Sequence, residues 1–178
     1  MTNESHADHM VSNVTSAWSN NSIPEGHEFF EDCSDCNFIY SEQQIIYDWL
    51  IGKSYLEMDY GGYMETECPL LYLSPLASSY YIAGYLIKFL IDIKNITFGE
   101  SSCPSFATIH FIGYVASEKI IKDVRDLRNK QIVLIYDSLN LSIDDAISGS
   151  LFSGSQELFD VENTIKKIKS VNEGISGA

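Results

Sequence analysis

Apolar positions in the middle of the chain follow the period of an α-helix. A stripe of apolar residues recurs at spacings of three and four, the pattern of one helix face: Leu76, Tyr80, Ala83, Ile87 and Leu90. Further large apolar side chains fill much of the remaining circumference: Tyr81, Tyr85, Leu86 and Phe89. The pattern therefore predicts a helix that is buried nearly all round and that forms the core of the fold.

A helix start signal stands directly before this stretch. Ser74 can accept a hydrogen bond from an N–H of the first turn, and Pro75 has a backbone already set for that turn. We therefore expect the central helix to begin here and to bury Tyr81 and Leu86.

Four other segments also have helical spacing of their apolar residues. The predicted helices cover residues 32 or 35 to 51, 119–127, 130–141 and 157–168. Gly52 and Lys53 suit the exit of the first of these, and Ser155 suits the N-cap of the last. Residues 106–115 are rich in β-forming side chains but also support a short buried helix, so the sequence leaves that segment open.

The fold class that follows is mainly α. At 178 residues the chain has the length of one domain. We predict a single compact helical domain over residues 23–170, with room for one short strand or hairpin. Residues 1–22 are rich in Ser, Asn and Thr and predict a mobile segment, although Val11, Val14 and Trp18 allow a short helix. Residues 171–178 are expected to fray.

Charge is distributed unevenly along the chain. The formal net charge is −14, and residues 1–67 hold 13 of the 25 acidic residues but only Lys53 among the basic ones. Such a region repels nucleic acid and anionic membranes and attracts basic proteins. A solvated surface that serves only solubility has the same pattern, and that alternative stays open.

The sequence shows no recognisable targeting segment, which predicts a cytoplasmic location. No positively charged segment precedes an apolar run at the N-terminus, so we expect no secretory signal. The longest apolar run covers residues 80–91 and is interrupted by Lys88, which is too short for a membrane span of about 20 residues. The expected location is cytoplasmic, without membrane association.

The one metal-like or redox-like motif is Cys33-x-x-Cys36. Residues that could complete a zinc site are Cys68, Cys103, His27 and His110, but they show no second short ligand spacing. Asp32 and Asp35 would raise the pKa of a neighbouring thiol, which disfavours a redox role. We therefore expect neither a metal nor a cofactor, and two half-buried thiols at a helix start.

Other catalytic patterns are weaker still. His110 lies among apolar residues, where a core histidine is commoner than a base, and Asp144-Asp145 suits a helix cap or a solvated pair. Residues 149–154 have the glycine spacing of a phosphate-binding loop but lack its lysine. No catalytic set converges, so we expect no enzyme activity.

Residues 32–93 resemble a bacterial family of small proteins of unknown function. The family pattern begins with Asp-Cys-x-x-Cys, continues through a Gly-Lys turn and ends in a Leu-Ser/Thr-Pro-x-Ala-x-x-Tyr-Tyr helix. The matching residues are Asp32, Cys33, Cys36, Gly52, Lys53, Leu70, Leu71, Leu73, Ser74, Pro75, Ala77, Tyr80, Tyr81, Ala83, Tyr85 and Leu86. Tyr55 stands where the turn usually has Trp. The resemblance implies a mostly helical fold and supplies no activity.

Function is predicted from the acidic third of the chain. Aromatic side chains interleaved with carboxylates suit a protein interface, in which aromatics anchor and charges steer. The predicted partner-binding residues are Glu57, Asp59, Tyr60, Tyr63, Glu65 and Glu67. We expect an immunity or antitoxin-type protein that covers the active cleft of a basic toxin, such as a nuclease, without contacting nucleic acid. The alternatives are a nucleic-acid-mimic inhibitor and a metal or redox protein centred on Cys33 and Cys36.

Overall fold

A computed structural model describes most of the chain, namely residues 3–25, 28–30, 41–58, 68–101, 103–117, 119–124, 127–143, 151–152 and 155–176. The helices defined within them are α1 (Asn3–Trp18), α2 (Ser41–Leu50), α3 (Pro75–Thr97), α4 (Phe106–Ala116), α5 (Ile120–Asp123), α6 (Asn129–Ser142) and α7 (Ser155–Ser176). A short 3₁₀ helix, Pro69–Leu71, precedes α3. No strand occurs in these ranges, and the predicted class, a single compact helical domain, is confirmed.

The central helix α3 begins as the sequence predicts. The Ser74 hydroxyl accepts the N–H of Ala77 at 3.1 Å, and Pro75 occupies the first turn. Tyr81 and Leu86 are buried, as expected, within one hydrophobic core to which α1, α4 and α6 also contribute. Leu76 corrects the prediction: it is 50% exposed, because it faces a cleft that is open to solvent and not another helix.

The prediction of a mobile segment over residues 1–22 is wrong for α1. Residues 3–18 form a helix that packs against α3 and α6. Val14 and Trp18 are fully buried, and the Trp18 indole N–H donates to the Ser79 carbonyl at 2.8 Å. Small residues that the sequence pattern did not stress, such as Ala7 and Ala17, complete the buried face and let this polar helix dock.

The end of α2 is tied to α3. Gly52 has a positive φ of 71°, the left-handed conformation that glycine adopts readily after a helix. The Tyr81 hydroxyl donates to the carbonyls of Leu50 at 3.0 Å and Lys53 at 3.2 Å. The predicted exit at Gly52 is therefore confirmed, whereas the predicted start at residue 32 or 35 lies outside the described residues.

Helices follow one another through residues 106–143. The segment left open by the sequence is helical, and the Ser105 hydroxyl caps it by accepting the N–H of Thr108 at 3.4 Å. Of the helix predicted over 119–127, the structure describes α5 over Ile120–Asp123, with Lys119 as its N-cap, and residues 125–126 lie outside the described residues. The helix predicted over 130–141 is confirmed as α6, whose start is supported by the Gln131 side chain accepting the N–H of Arg128 at 2.9 Å.

The last helix is longer than predicted. It begins at Ser155 and ends at Ser176, whereas a frayed tail was expected from residue 171. No proline interrupts residues 169–176, and the helix continues through Gly174. It packs against α4 and α6.

Length and apolar composition would allow one of the described helices, α3, to cross a membrane. However, 72% of its most apolar window is buried inside the protein. This is the situation of a core helix, and it agrees with the contacts that α3 makes.

Candidate functional site

The predicted partner-binding residues fall only partly within the described chain. Glu57 is exposed in the turn after α2, and its carboxylate accepts the N–H of Ser54 at 2.9 Å. The other predicted residues lie outside the described ranges: Asp59, Tyr60, Tyr63, Glu65 and Glu67. Their grouping with Glu57 therefore stays a prediction.

The turn that carries Glu57 is anchored by the residue two positions before it. Tyr55 is buried, and its ring meets the Tyr80 ring edge to face, with centroids 5.4 Å apart. The Tyr55 hydroxyl donates to the Thr15 carbonyl at 3.3 Å, and burial raises the pKa of this phenol. Between this anchor and Glu57, Leu56 is 59% exposed. The turn therefore presents an apolar side chain beside a carboxylate.

A cleft of about 240 Å³ lies beside the first two turns of α3, between that helix and the segment after α1. Its lining combines apolar, hydroxyl, amide and carboxylate groups: Asn21, Ser22, Pro24, Glu28, Leu76, Ser79 and Tyr80. The sequence analysis missed this cleft, because its walls come from the segment after α1 and from α3, which are far apart in the chain. Leu76 gave no signal in the sequence, where it continues the apolar stripe; its exposure appears only in the structure.

Glu28 is the charged residue that lines this cleft, and its position is fixed from several sides. Its N–H donates to the Glu25 carbonyl at 2.9 Å, and its carboxylate accepts the Glu25 N–H at 2.7 Å. Its own carbonyl accepts the Ser74 hydroxyl. The next residue, Phe29, is fully buried and accepts the Ser74 N–H at 2.8 Å. The carboxylate is therefore held in place before any partner arrives.

The cleft wall that contains Asn21 is held by Gln131 of α6 and by Arg128, the residue that precedes α6. The Gln131 side chain donates to the Ala17 carbonyl at 3.1 Å and to the Asn21 side chain at 3.4 Å. The exposed Arg128 guanidinium also donates to the Asn21 side-chain oxygen. These bonds orient the Asn21 amide and place a positive charge near this wall.

A buried polar cluster lies where α3, α4 and α5 meet. The Asp123 carboxylate accepts the Tyr114 hydroxyl at 2.5 Å and the Lys119 ammonium at 2.8 Å. Lys119 also donates to the Ser78 hydroxyl at 3.1 Å. The sequence analysis did not single out these residues. The signal was Asp123 itself, which lies three residues after Ile120 on the face that is predicted to point inward.

The cluster contains a serine beside a lysine, a pair that can act in nucleophilic catalysis. Here Lys119 is paired with Asp123, and the fully buried Ser78 hydroxyl can donate to the carbonyls of Leu70 at 3.2 Å and Leu73 at 3.4 Å. Burial, together with the Asp123 charge and hydrogen bond, raises the pKa of the Tyr114 phenol. This arrangement ties three helices and the 3₁₀ turn together, and it leaves no accessible nucleophile at Ser78.

The cysteines have contrasting environments. Cys68 is buried before the 3₁₀ helix, and burial raises the pKa of its thiol to about 12, against the opposing effects of backbone hydrogen bonds and of Lys119. Cys103 is exposed in the loop after α3. Cys33 and Cys36 lie outside the described residues, as does His27. Within the ranges that are described, no three His, Cys, Asp or Glu side chains group as metal ligands.

The remaining candidates from the sequence are His110 and the Asp144-Asp145 pair. His110 is half-buried in α4, and desolvation lowers the pKa of its imidazole. Asp144 and Asp145 lie outside the described residues. A second cleft, of about 370 Å³, separates α6 from α7 and is lined by apolar side chains together with Glu162, Lys166 and Lys169.

Comparison of the chain with models of protein families, with curated proteins and with solved structures found no match. The resemblance of residues 32–93 to a bacterial family therefore stays a prediction.

Proposed function

We propose that this chain is a protein-binding protein of the immunity or antitoxin type, which neutralises a basic toxin, such as a nuclease, by covering its active cleft. The observation that carries the proposal is a surface on which exposed apolar side chains stand beside carboxylates. This surface consists of the turn with Leu56 and Glu57 and the cleft with Glu28 and Leu76; beneath it, the buried Tyr80 lines the cleft and packs against Tyr55 of the turn. We call it the acidic face.

The composition of the acidic face suits a protein partner. Exposed leucines supply apolar area that a partner can bury, and Leu56 and Leu76 are each at least half exposed. Tyr55 and Tyr80 are buried beneath this surface, and their packed rings hold the turn and the start of α3 in place, so that little conformational freedom is lost on binding. The surface is therefore ordered before it meets a partner.

Charge supports a basic partner in particular. The carboxylates of the acidic face belong to the third of the chain that holds 13 acidic residues and one basic residue. Such a field draws a basic protein toward it and raises the association rate. Residues 68–178 are nearly balanced, with 12 acidic and 10 basic residues. A mimic of nucleic acid needs carboxylates over a long surface, so this balance favours a localised protein interface.

The proposal places the chain in the bacterial cytoplasm, where such a protein protects the cell that makes the toxin. It gives the chain no enzymatic role. Inhibition comes from occupying a surface, which needs geometry and charge but no reacting group.

Capture from the native host tests the proposal. The tagged full-length chain is used as bait, and bound proteins are identified by mass spectrometry. We expect a basic protein that is retained at low salt and released as salt rises, and we expect the purified chain to inhibit its activity. Recovery of an acidic partner, or of a basic partner whose activity is unchanged in the complex, would contradict the proposal.

A further inference from the structure

We infer that the cleft between Glu28 and Leu76 receives an arginine side chain of the partner. The inference rests on the proposed function for its partner, and it adds the chemical group that is recognised. It follows from the size of the cleft, the fixed carboxylate and the mixed lining.

Size limits the occupant. The cleft has a volume of about 240 Å³, below the roughly 300 to 1,000 Å³ of pockets that take drug-sized ligands. A single long side chain inserted from a partner surface fits this volume better than a free cofactor does.

Charge selects a cation. Among the described residues that line the cleft, Glu28 is the charged one. A carboxylate offers about four acceptor positions, and the N–H of Glu25 takes one of them. Since the backbone and the side chain of Glu28 are both held, the remaining acceptors are preorganised. The Asn21 side-chain oxygen already accepts hydrogen bonds from Arg128 and Gln131. An incoming cation therefore binds to the Glu28 carboxylate.

The mixed lining favours arginine over lysine. A guanidinium has five N–H donors in one plane and can bond a carboxylate through two of them. The cleft is also lined by Ser22 and Ser79, whose oxygen atoms are further acceptors for a group with several N–H donors. Exposed Leu76 supplies apolar surface for the methylene stem, and the cleft is also lined by Pro24 and Tyr80, which are themselves buried.

Tyr80 is itself fixed in place. Its ring meets the Tyr81 ring edge to face at 5.0 Å, in addition to the contact with Tyr55. Trp18 donates to the carbonyl of Ser79, the neighbouring residue. The two residues from α3 that line the cleft beyond Leu76 are therefore anchored by the core.

A titration of the isotopically labelled full-length chain tests the inference by nuclear magnetic resonance. The probe is N-acetyl-arginine methylamide, and the matched controls are the lysine and citrulline derivatives. Citrulline has nearly the shape of arginine but no charge. We expect saturable shifts of the backbone amides of Glu28, Ser79 and Tyr80 with the arginine probe, smaller shifts with lysine, and none with citrulline.

Two variants sharpen the titration. Glu28→Gln keeps the size of the side chain and should abolish the shifts, whereas Glu100→Gln, in the exposed turn after α3, should leave them unchanged. Leu76→Ala, at a half-exposed position that the fold tolerates, should weaken them. Absence of saturable shifts with arginine, equal shifts with citrulline, or full retention in Glu28→Gln would each overturn the inference.

The complex separates this inference from the proposed function. For the complex of this chain with a captured basic partner, Glu28→Gln in this chain should raise the dissociation rate constant at least about tenfold, as expected when an interface anchor is lost. A basic partner that the chain inhibits, but whose dissociation is unchanged by Glu28→Gln, would overturn the arginine assignment and leave the function standing.

Discussion

At the scale of single residues, Asp123 is a carboxylate buried within the described structure. Its side chain is 2% exposed, whereas that of its partner Lys119 is 21% exposed. One carboxylate oxygen accepts hydrogen bonds from both Lys119 and Tyr114, and the other has no hydrogen-bond partner among the described residues. Burying a charge in such a site removes its contacts with water, a cost that a close counter-charge offsets. Lys119 is therefore needed for stability wherever Asp123 is ionised.

Substitution of Lys119 by Met tests this dependence. The variant keeps most of the side-chain volume but leaves Asp123 without its cation. We expect the free energy of unfolding to fall by about 3 to 5 kcal/mol, the range for breaking a buried pair. Urea denaturation at neutral pH measures it. The control is Lys122→Met, at an exposed position of the same helix, which should change stability by less than about 0.5 kcal/mol. Equal effects of the two variants would contradict the account.

The thiols give a second residue-scale prediction. Because burial raises the pKa of Cys68 to about 12, its reactive thiolate is scarce at pH 8. Iodoacetamide should therefore modify the exposed Cys103 in the folded protein and reach Cys68 only after denaturant is added. Peptide mapping by mass spectrometry measures both, with Cys103→Ser as the control. Alkylation of Cys68 at the rate of Cys103 under native conditions would show that the thiol is accessible.

Sequence reasoning at this scale succeeded where the chemistry is local. Ser74 caps the next turn of its own helix, so its role can be predicted from adjacent residues. Asp123 accepts a hydrogen bond from Tyr114, which lies on another helix. Leu76 faces a cleft whose opposite wall comes from a segment some 50 residues earlier. Neither fact is present in the local pattern, which records spacing but not the neighbour that a face will meet.

At the scale of elements, α3 organises the fold because α1, α4, α5 and α6 pack against it. Helices α1 and α4 pack on it directly, and its Tyr81 bonds the end of α2. The sequence predicted this role from a helix that is apolar nearly all round. It failed for α1, whose polar composition suggested mobility. A few apolar and small residues were enough to dock that helix on a surface that α3 already supplied.

Two alanine substitutions on α3 separate its buried and open faces. Leu86→Ala removes a fully buried side chain and should lower the free energy of unfolding by about 2 to 5 kcal/mol. Leu76→Ala, at the half-exposed position, should lower it by less than about 1 kcal/mol. Denaturant unfolding of both variants provides the comparison. A loss below about 1 kcal/mol for Leu86→Ala would mean that α3 is not the organising helix.

At the scale of the whole molecule, the charge distribution and the packing determine different features of the proposed interface. The uneven distribution of carboxylates can be read from the sequence, because counting needs no structure. The acidic face cannot, since it depends on Tyr80 bringing the turn after α2 next to a cleft built from the segment after α1. Charge therefore predicts the kind of partner, and packing decides where an anchoring side chain can enter.

The most direct test of the central claim is the association rate constant with the captured partner. Four acidic residues are reversed to lysine in one variant: Glu57, Asp59, Glu65 and Glu67. A control variant receives the same change in net charge outside the acidic third, through reversal of Glu100, Glu118, Asp137 and Glu162.

Stopped-flow measurements at two salt concentrations distinguish steering by the acidic third from an effect of net charge alone. The account predicts that the native chain associates rapidly at low salt and slows steeply as salt rises, because exposed charges are screened beyond a Debye length of about 10 Å at 0.1 M. It also predicts that the first variant loses most of this rate while the control retains most of it. Equal losses in the two variants, or a native rate that does not change with salt, would contradict recognition through the acidic third.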